Sequence, residues 1–330
     1  MTSAKTLTAT TASIGKTFGL DQVPDDRVVV CYPPSGHPLV PAVDKHHHFD
    51  RELLCRLLNF LNDPAGDAMY LTGPTGSGKT SGISQACARL NWPMSSVNAH
   101  GRMEFTDLLG HHALLALLPG EEPTMQFVEG PLVTAMRHGH VLVINEIDLM
   151  DPAELSGLND VLEGRPLVIA ENGGDVVKPH PMFRVVVTGN SAGAGDDTGA
   201  YLGVRQQNIA AMDRYRVVQV GYLPNEVEVK LLVAKVSGMP KDVADRMVEM
   251  ANHIRELFTG TAEGGDSQLS FPMSTRVLVR WGRLMMAYSG SPSPLQFALN
   301  EAFLNRAAPE EKAAISEIGR QIFGASWGKE

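Results

Sequence analysis

Leu53, Leu54, Leu57, Leu58 and Leu61 recur at helical spacing through 49–61, and the pattern stops at Asn62-Asp63-Pro64, which predicts an amphipathic helix opening a folded unit. Short apolar runs follow at Ala68–Thr72, Met94–Asn98, Val141–Ile144, Arg184–Thr188 and Val217–Val220, with helical or loop stretches between them. Most are nearly continuous rather than alternating, as expected of central strands in a parallel sheet with helices on both faces. From Asn225 onward helical periods take over, at 225–237, 240–258, 273–289, 293–305 and 309–323, broken at Gly238-Met239-Pro240, Gly264-Gly265 and Gly290-Ser291-Pro292. The pattern therefore predicts an α/β core over 49–221 and a small all-helical domain over 222–330. Ahead of both, 1–15 is small and polar with no apolar period and reads as a loose arm. The stretch 18–44, with Val28-Val29-Val30 among Pro24, Pro33, Pro34, Pro38 and Pro41, reads as extended chain with at most one short strand, so 1–48 is an arm and extended segment.

Composition narrows the function classes. The 330 residues are 43% apolar and 20% charged, enough for a sizeable core and unlike a disordered chain. Lys and Arg number 28 against 37 Asp and Glu, a net charge of −9 without any basic run, so no nucleic-acid partner is expected. The 3 cysteines, Cys31, Cys55 and Cys87, lie far apart without CxxC spacing, against both a disulfide framework and a structural zinc site. With no signal-like apolar segment at the start and no 18-residue apolar run later, a cytoplasmic protein without membrane spans is expected.

Directly after the first strand stands Gly73-Pro74-Thr75-Gly76-Ser77-Gly78-Lys79-Thr80, a full match to GxxxxGK[ST], followed by a helix-compatible stretch over 81–90. Glycines let such a loop curl so that backbone N–H groups converge on phosphate oxygens at a helix N-terminus. Lys79 is expected to reach the β- and γ-phosphates of ATP and Thr80 to hold Mg²⁺.

The other half of the site belongs on a later strand. Val141-Leu142-Val143-Ile144-Asn145-Glu146, apolar and then polar, has the form of a Walker B strand. Glu146, read as a buried carboxylate, is placed to polarise the attacking water, the bland alternative being that 145–146 begin a surface loop. Asn145 stands where Asp is usual and would meet Mg²⁺ through water. Its amide adds no charge, so Asn145→Asp is expected to lower the Mg²⁺ needed for half-maximal hydrolysis, and Asp148 is a second candidate for the metal shell. Asn190, after the strand 184–188, suits a sensor of water or γ-phosphate. Arg214 suits a developing phosphoryl charge, in its own or a neighbouring subunit, or else pairs on the surface with Asp213. Arg276 opens a helix and either folds back over the phosphates or is simply solvated.

Phosphate loop, Walker B strand, Asn190, Arg214 and Arg276, in that order over an α/β core and helical lid, resemble an AAA+ ATPase. Gly164–Ile169 with Val176–Arg184, ending in His180-Pro181-Met182-Phe183-Arg184, looks like the hairpin before the sensor strand in the MoxR clade. Asp107–Gly110 and Val128–Leu132 look like that clade's helix-2 insertion and the helix behind it. Phe18–Asp21, Phe49–Glu52, Arg89–Pro93, Gly195–Gly199, Gln206–Asn208, Met212–Arg214, Tyr222–Pro224 and Ala234–Val236 are similar to the CobS-type family of ATPase subunits of aerobic cobaltochelatase. The resemblance implies a hexameric ring, a partner with a von Willebrand A-type domain and, in that pathway, a large subunit inserting Co²⁺ into a corrin ring. A MoxR-type chaperone ATPase acting on another complex, and an ATP-binding scaffold with weak hydrolysis, remain as alternatives.

Two further features invite chemistry. His46-His47-His48 cannot all face one ion from an extended chain. His111-His112 precedes the leucine-rich stretch Ala113–Leu118, which is either buried locally or projects toward a partner in a ring pore.

Overall fold

Asp50 caps the first core helix: its carboxylate accepts from the Leu53 N–H at 2.8 Å, and over Arg51–Asn62 the leucines at 53, 54, 57, 58 and 61 are all buried. The chain next enters a five-stranded parallel sheet. Its strands are β1 (Ala68–Thr72), β2 (Met94–Asn98), β3 (Val141–Asn145), β4 (Arg184–Gly189) and β5 (Tyr215–Gln219), in the order β5-β1-β4-β3-β2. This computed structural model describes residues 7–116, 122–193, 195, 203–259 and 269–328. Every residue of β1, β3 and β4 is buried, whereas the edge strands β2 and β5 alternate, as the apolar runs predict for a sheet covered on both faces. Register places Gly189 beside Thr72, and Asn98 beside Asn145. The carboxyl ends of β1, β3 and β4 therefore share one edge, where the strand order switches and open α/β sheets bind ligands.

The N-terminal stretch departs from the sequence reading. Instead of a loose arm, Thr10–Ser13 pairs antiparallel with Val28–Cys31, and Ser13 caps a short helix, Ile14–Phe18. The segment is fixed to the core at Gly139, whose carbonyl accepts from both Tyr32 Oη (3.2 Å) and Trp92 Nε1 (2.9 Å). A second difference lies at 110–129. Gly110–Leu115 and Thr124–Glu129 form an antiparallel hairpin whose cross-strand pair Leu114 and Met125 is 66% and 61% exposed, so Leu114 is not locally buried; Leu117 and Leu118 lie outside the described residues. Leu167–Ile169 and Asp175–Val177 form the hairpin expected before β4.

Residues 221–330 form a second compact unit, together with 45–48 and 74–77. Its helices Asn225–Lys235, Lys241–Thr259, Thr275–Ala287, Pro294–Ala302 and Pro309–Phe323 enclose a core that includes the fully buried Trp281 and Trp327, and no described helix is long and apolar enough to cross a membrane. One charged pair lies inside this unit. Arg255 grips Glu228 with two hydrogen bonds (2.7 and 2.8 Å), donates to the Met273 carbonyl, and stacks on Tyr222 at 4.0 Å, while Thr275 Oγ1 donates to Glu228 Oε1. Every partner is supplied, so removal of one leaves an uncompensated buried charge. Arg255→Ala is expected to destabilise this unit by about 3–5 kcal/mol, measured by urea unfolding; a change within error would mean that water replaces the guanidinium.

Candidate functional site

The phosphate loop owes its path to its glycines. Gly73 (φ +144°), Gly76 (φ +76°) and Gly78 (φ +99°) take conformations that side chains disfavour; a Cβ at Gly73 would strike the Val220 carbonyl, and one at Gly76 would strike Ser274. Gly78 caps helix Lys79–Arg89 without any side-chain bond, leaving the helix start open toward the loop. Within the same loop the Ser77 hydroxyl is buried without a protein partner, and the Tyr222 hydroxyl donates to the Thr75 carbonyl at 3.1 Å.

Lys79 is 9% exposed and bends back, donating to the Gly73 carbonyl (2.5 Å) and Asn190 Oδ1 (3.3 Å). Burial lowers its pKa to about 8 against the opposing pull of the Asp148 and Glu146 carboxylates. Thr80 Oγ1 donates to Asn145 Oδ1 at 2.7 Å. Asn145, last in β3, is itself buried, and its Nδ2 donates to Ser96 Oγ (2.9 Å), Asn98 Oδ1 (3.1 Å) and the Val97 carbonyl (3.3 Å). Lys79, Thr80, Asn145 and Asn190 thus form one connected group at the sheet edge.

The buried carboxylate expected at Glu146 is found at Asp148 instead. Glu146 is exposed rather than buried, and its backbone is left-handed (φ +56°), with its N–H donated to Thr188 Oγ1. A non-glycine residue in that region marks strain of the kind found at functional sites. The buried carboxylate is Asp148, which is 0% exposed and whose Oδ1 has no hydrogen-bond partner. Its Oδ2 accepts from the backbone N–H groups of Asn190 (2.8 Å) and Ser191 (3.3 Å), which fixes the turn carrying Asn190. Sequence reading had no means of assigning that positioning task, because the two segments meet only through the β3–β4 pairing.

Arg214 precedes β5 and pairs with Glu163 rather than with Asp213. Its Nε and Nη2 lie 2.8 and 2.7 Å from Glu163 Oε1, its Nη1 donates to the Ala210 carbonyl, and Arg165 shares the same carboxylate. Arg276 is exposed in the first turn of Thr275–Ala287; Ser274, which caps that helix, is the residue that abuts Gly76. No group of three or more His, Cys, Asp or Glu among the described residues could hold a metal ion, the 46–48 histidines included.

A GxxxxGKT loop after β1, a polar end to β3 and Asn190 just past β4, on a five-stranded parallel sheet, are the arrangement of an AAA domain. Consistent with this, residues 68–203 match the AAA domain of the dynein-related subfamily, and 228–322 match the CbbQ/NirQ/NorQ C-terminal family. The aerobic cobaltochelatase subunit CobS of Sinorhizobium sp is 33% identical over 317 residues, spanning 96% of this chain and 91% of that protein. Uncharacterized proteins of Staphylococcus haemolyticus (strain JCSC1435) and Staphylococcus aureus (strain USA300) are 31% and 32% identical over 190 and 159 residues, 57% and 48% of this chain and 68% and 57% of their own lengths. The chain belongs to the family of the cobaltochelatase subunit CobS.

Proposed function

We propose that the chain is the Mg-ATP hydrolysing subunit of a cytoplasmic ring motor, a hexameric homo-oligomer that drives metal insertion with a partner bearing a von Willebrand A-type domain. The convergence of Lys79, Thr80, Asn145 and Asn190 at one strand edge carries the reading. Loop N–H groups and the open helix start take phosphate oxygens, and Lys79 exchanges the Gly73 carbonyl for β/γ oxygens. Thr80 and Asn145 offer hard oxygen donors, the kind Mg²⁺ prefers while keeping most of its waters. Bound there, the ion would neutralise phosphate charge. Glu146 takes the proton of the attacking water, Asn190 orients that water or the γ-phosphate, and Arg214 and Arg276 meet charge developing in the transition state. Corrin chemistry would fall to the large subunit that the likeness to CobS implies.

The Lys79 pKa supplies a direct test. Half the free protein carries a neutral Lys79 near pH 8, and an adjacent polyphosphate favours the ammonium. The pKa is therefore higher in the bound state, so binding takes up protons and affinity falls as pH rises above about 8. Calorimetry at pH 8 in buffers of different ionisation enthalpy is expected to show uptake of about half a proton per ATP. Lys79→Ala should abolish both the uptake and the binding; undiminished affinity would remove the loop from the site.

The neutral Asn145 favours a second reading, an ATP-binding scaffold that hydrolyses slowly. Steady-state phosphate release at concentrations where rings form separates the two, and a rate equal to buffer alone selects the scaffold.

A further inference from the structure

Asn145 is distinctive because both ends of its amide are committed. Oδ1 accepts from Thr80 Oγ1 at 2.7 Å, and Nδ2 faces Ser96 Oγ, Asn98 Oδ1 and the Val97 carbonyl at 2.9, 3.1 and 3.3 Å. Ser96 and Asn98 could reverse their roles, but the Val97 carbonyl only accepts, so it fixes which end of the amide points toward Thr80. The pairing of β2 with β3, with Asn98 directly beside Asn145, builds this arrangement into the sheet. A carboxylate at 145 would turn one charged oxygen toward the Val97 carbonyl, which has no proton to give. The position is thus shaped for a neutral amide.

Among the described residues no carboxylate is hydrogen-bonded to Thr80, although the Asp148 and Glu146 charges bear on the neighbouring Lys79. Asp148 spends Oδ2 on the backbone of Asn190 and Ser191, and Glu146 stands exposed beyond the strand end. A carboxylate close to the phosphates would repel bare nucleotide and attract a divalent cation, and thereby couple the two ligands. An amide does neither.

Resting on the nucleotide-site reading above, we infer that Asn145 uncouples nucleotide binding from the divalent cation, so that the chain retains metal-free nucleotide nearly as tightly as the magnesium complex. The same logic makes Asn145→Asp a gain of coupling: tighter Mg²⁺ dependence, obtained by weakening the metal-free complex.

The test is binding of a fluorescent N-methylanthraniloyl ADP to the full chain, titrated in Mg²⁺ and in EDTA. Wild type is expected to lose less than about fivefold in affinity in EDTA, and Asn145→Asp to widen that ratio by about tenfold or more, chiefly through weaker binding in EDTA. A wild-type ratio above about fivefold, or equal ratios in the two proteins, overturns the inference. Absence of wild-type binding in either buffer would instead overturn the nucleotide-site reading itself. Should Asn145→Asp fail to fold, Asn145→Ala serves as the second variant. Being also neutral it is expected to keep the low ratio, and a ratio widened to the level predicted for Asp would refute the role of charge.

Discussion

Glu146→Gln is expected to bind ATP within about twofold of wild type and to hydrolyse it at least about a hundredfold more slowly. Glutamine keeps the size and the hydrogen-bonding reach of the side chain but has no oxygen basic enough to take a proton from water. Because Glu146 is exposed, removing its charge leaves no buried group without a partner, and the left-handed backbone is equally unfavourable for either residue. Folding and binding should therefore survive while turnover does not. A contrasting change sharpens this: Glu146→Gly relieves the φ of +56° and should raise the melting temperature while still abolishing hydrolysis, which separates strain from chemistry. Hydrolysis by Glu146→Gln at the wild-type rate would move the base to another residue.

On the proposed reading, Arg214→Ala carries the other large expected effect, a loss of about a thousandfold or more in turnover with ATP affinity nearly retained, because the charge assigned to it there develops only in the transition state. If Arg214 acts on a neighbouring subunit, wild-type activity rises more than linearly with protein concentration as rings assemble. Mixed rings of Arg214→Ala and Glu146→Gln then regain part of the activity, since some interfaces contain both intact halves. Glu163 gives the experiment a control. It holds two nitrogens of the Arg214 guanidinium, so Glu163→Gln should slow turnover less than Arg214→Ala does, by loosening the aim without deleting the charge. No recovery in rings shown by light scattering to be mixed would confine Arg214 to its own subunit or to a surface ion pair.

The elements most legible in the sequence were those whose pattern had one cause. β1, β3 and β4 are buried along their whole length, so their short apolar runs read as central strands, and the later C-terminal helices announce themselves by a one-sided apolar period that Asn225–Lys235 lacks. The hairpin 110–129 was obscured because Leu114 and Met125 face outward, so its apolar residues carry no inward alternation to read. Thr10–Ser13 has one apolar residue, Ala12, too little for a pattern; backbone pairing with Val28–Cys31 makes it a strand. At the site, the phosphate loop was legible because all its positions are contiguous. The partners of Arg214, Asp148 and Asn145 were not: Glu163, the 190–191 amides and the 96–98 edge come from distant segments, and sequence offers only the neighbour, such as Asp213.

The burial of the tryptophans has a spectroscopic consequence. Of the 3 in the chain, Trp92 sits in the α/β unit with its indole N–H on Gly139, whereas Trp281 and Trp327 lie in the core of the helical unit. All three are sheltered from water, so each emits from an apolar surround and reddens only when its own unit opens. Intrinsic emission is thus a two-channel recorder of denaturation. With Trp92→Phe the light comes from the helical unit alone, and the difference from wild type reports the α/β unit. A single unfolding midpoint fitted to the unresolved signal would average over two processes that need not coincide.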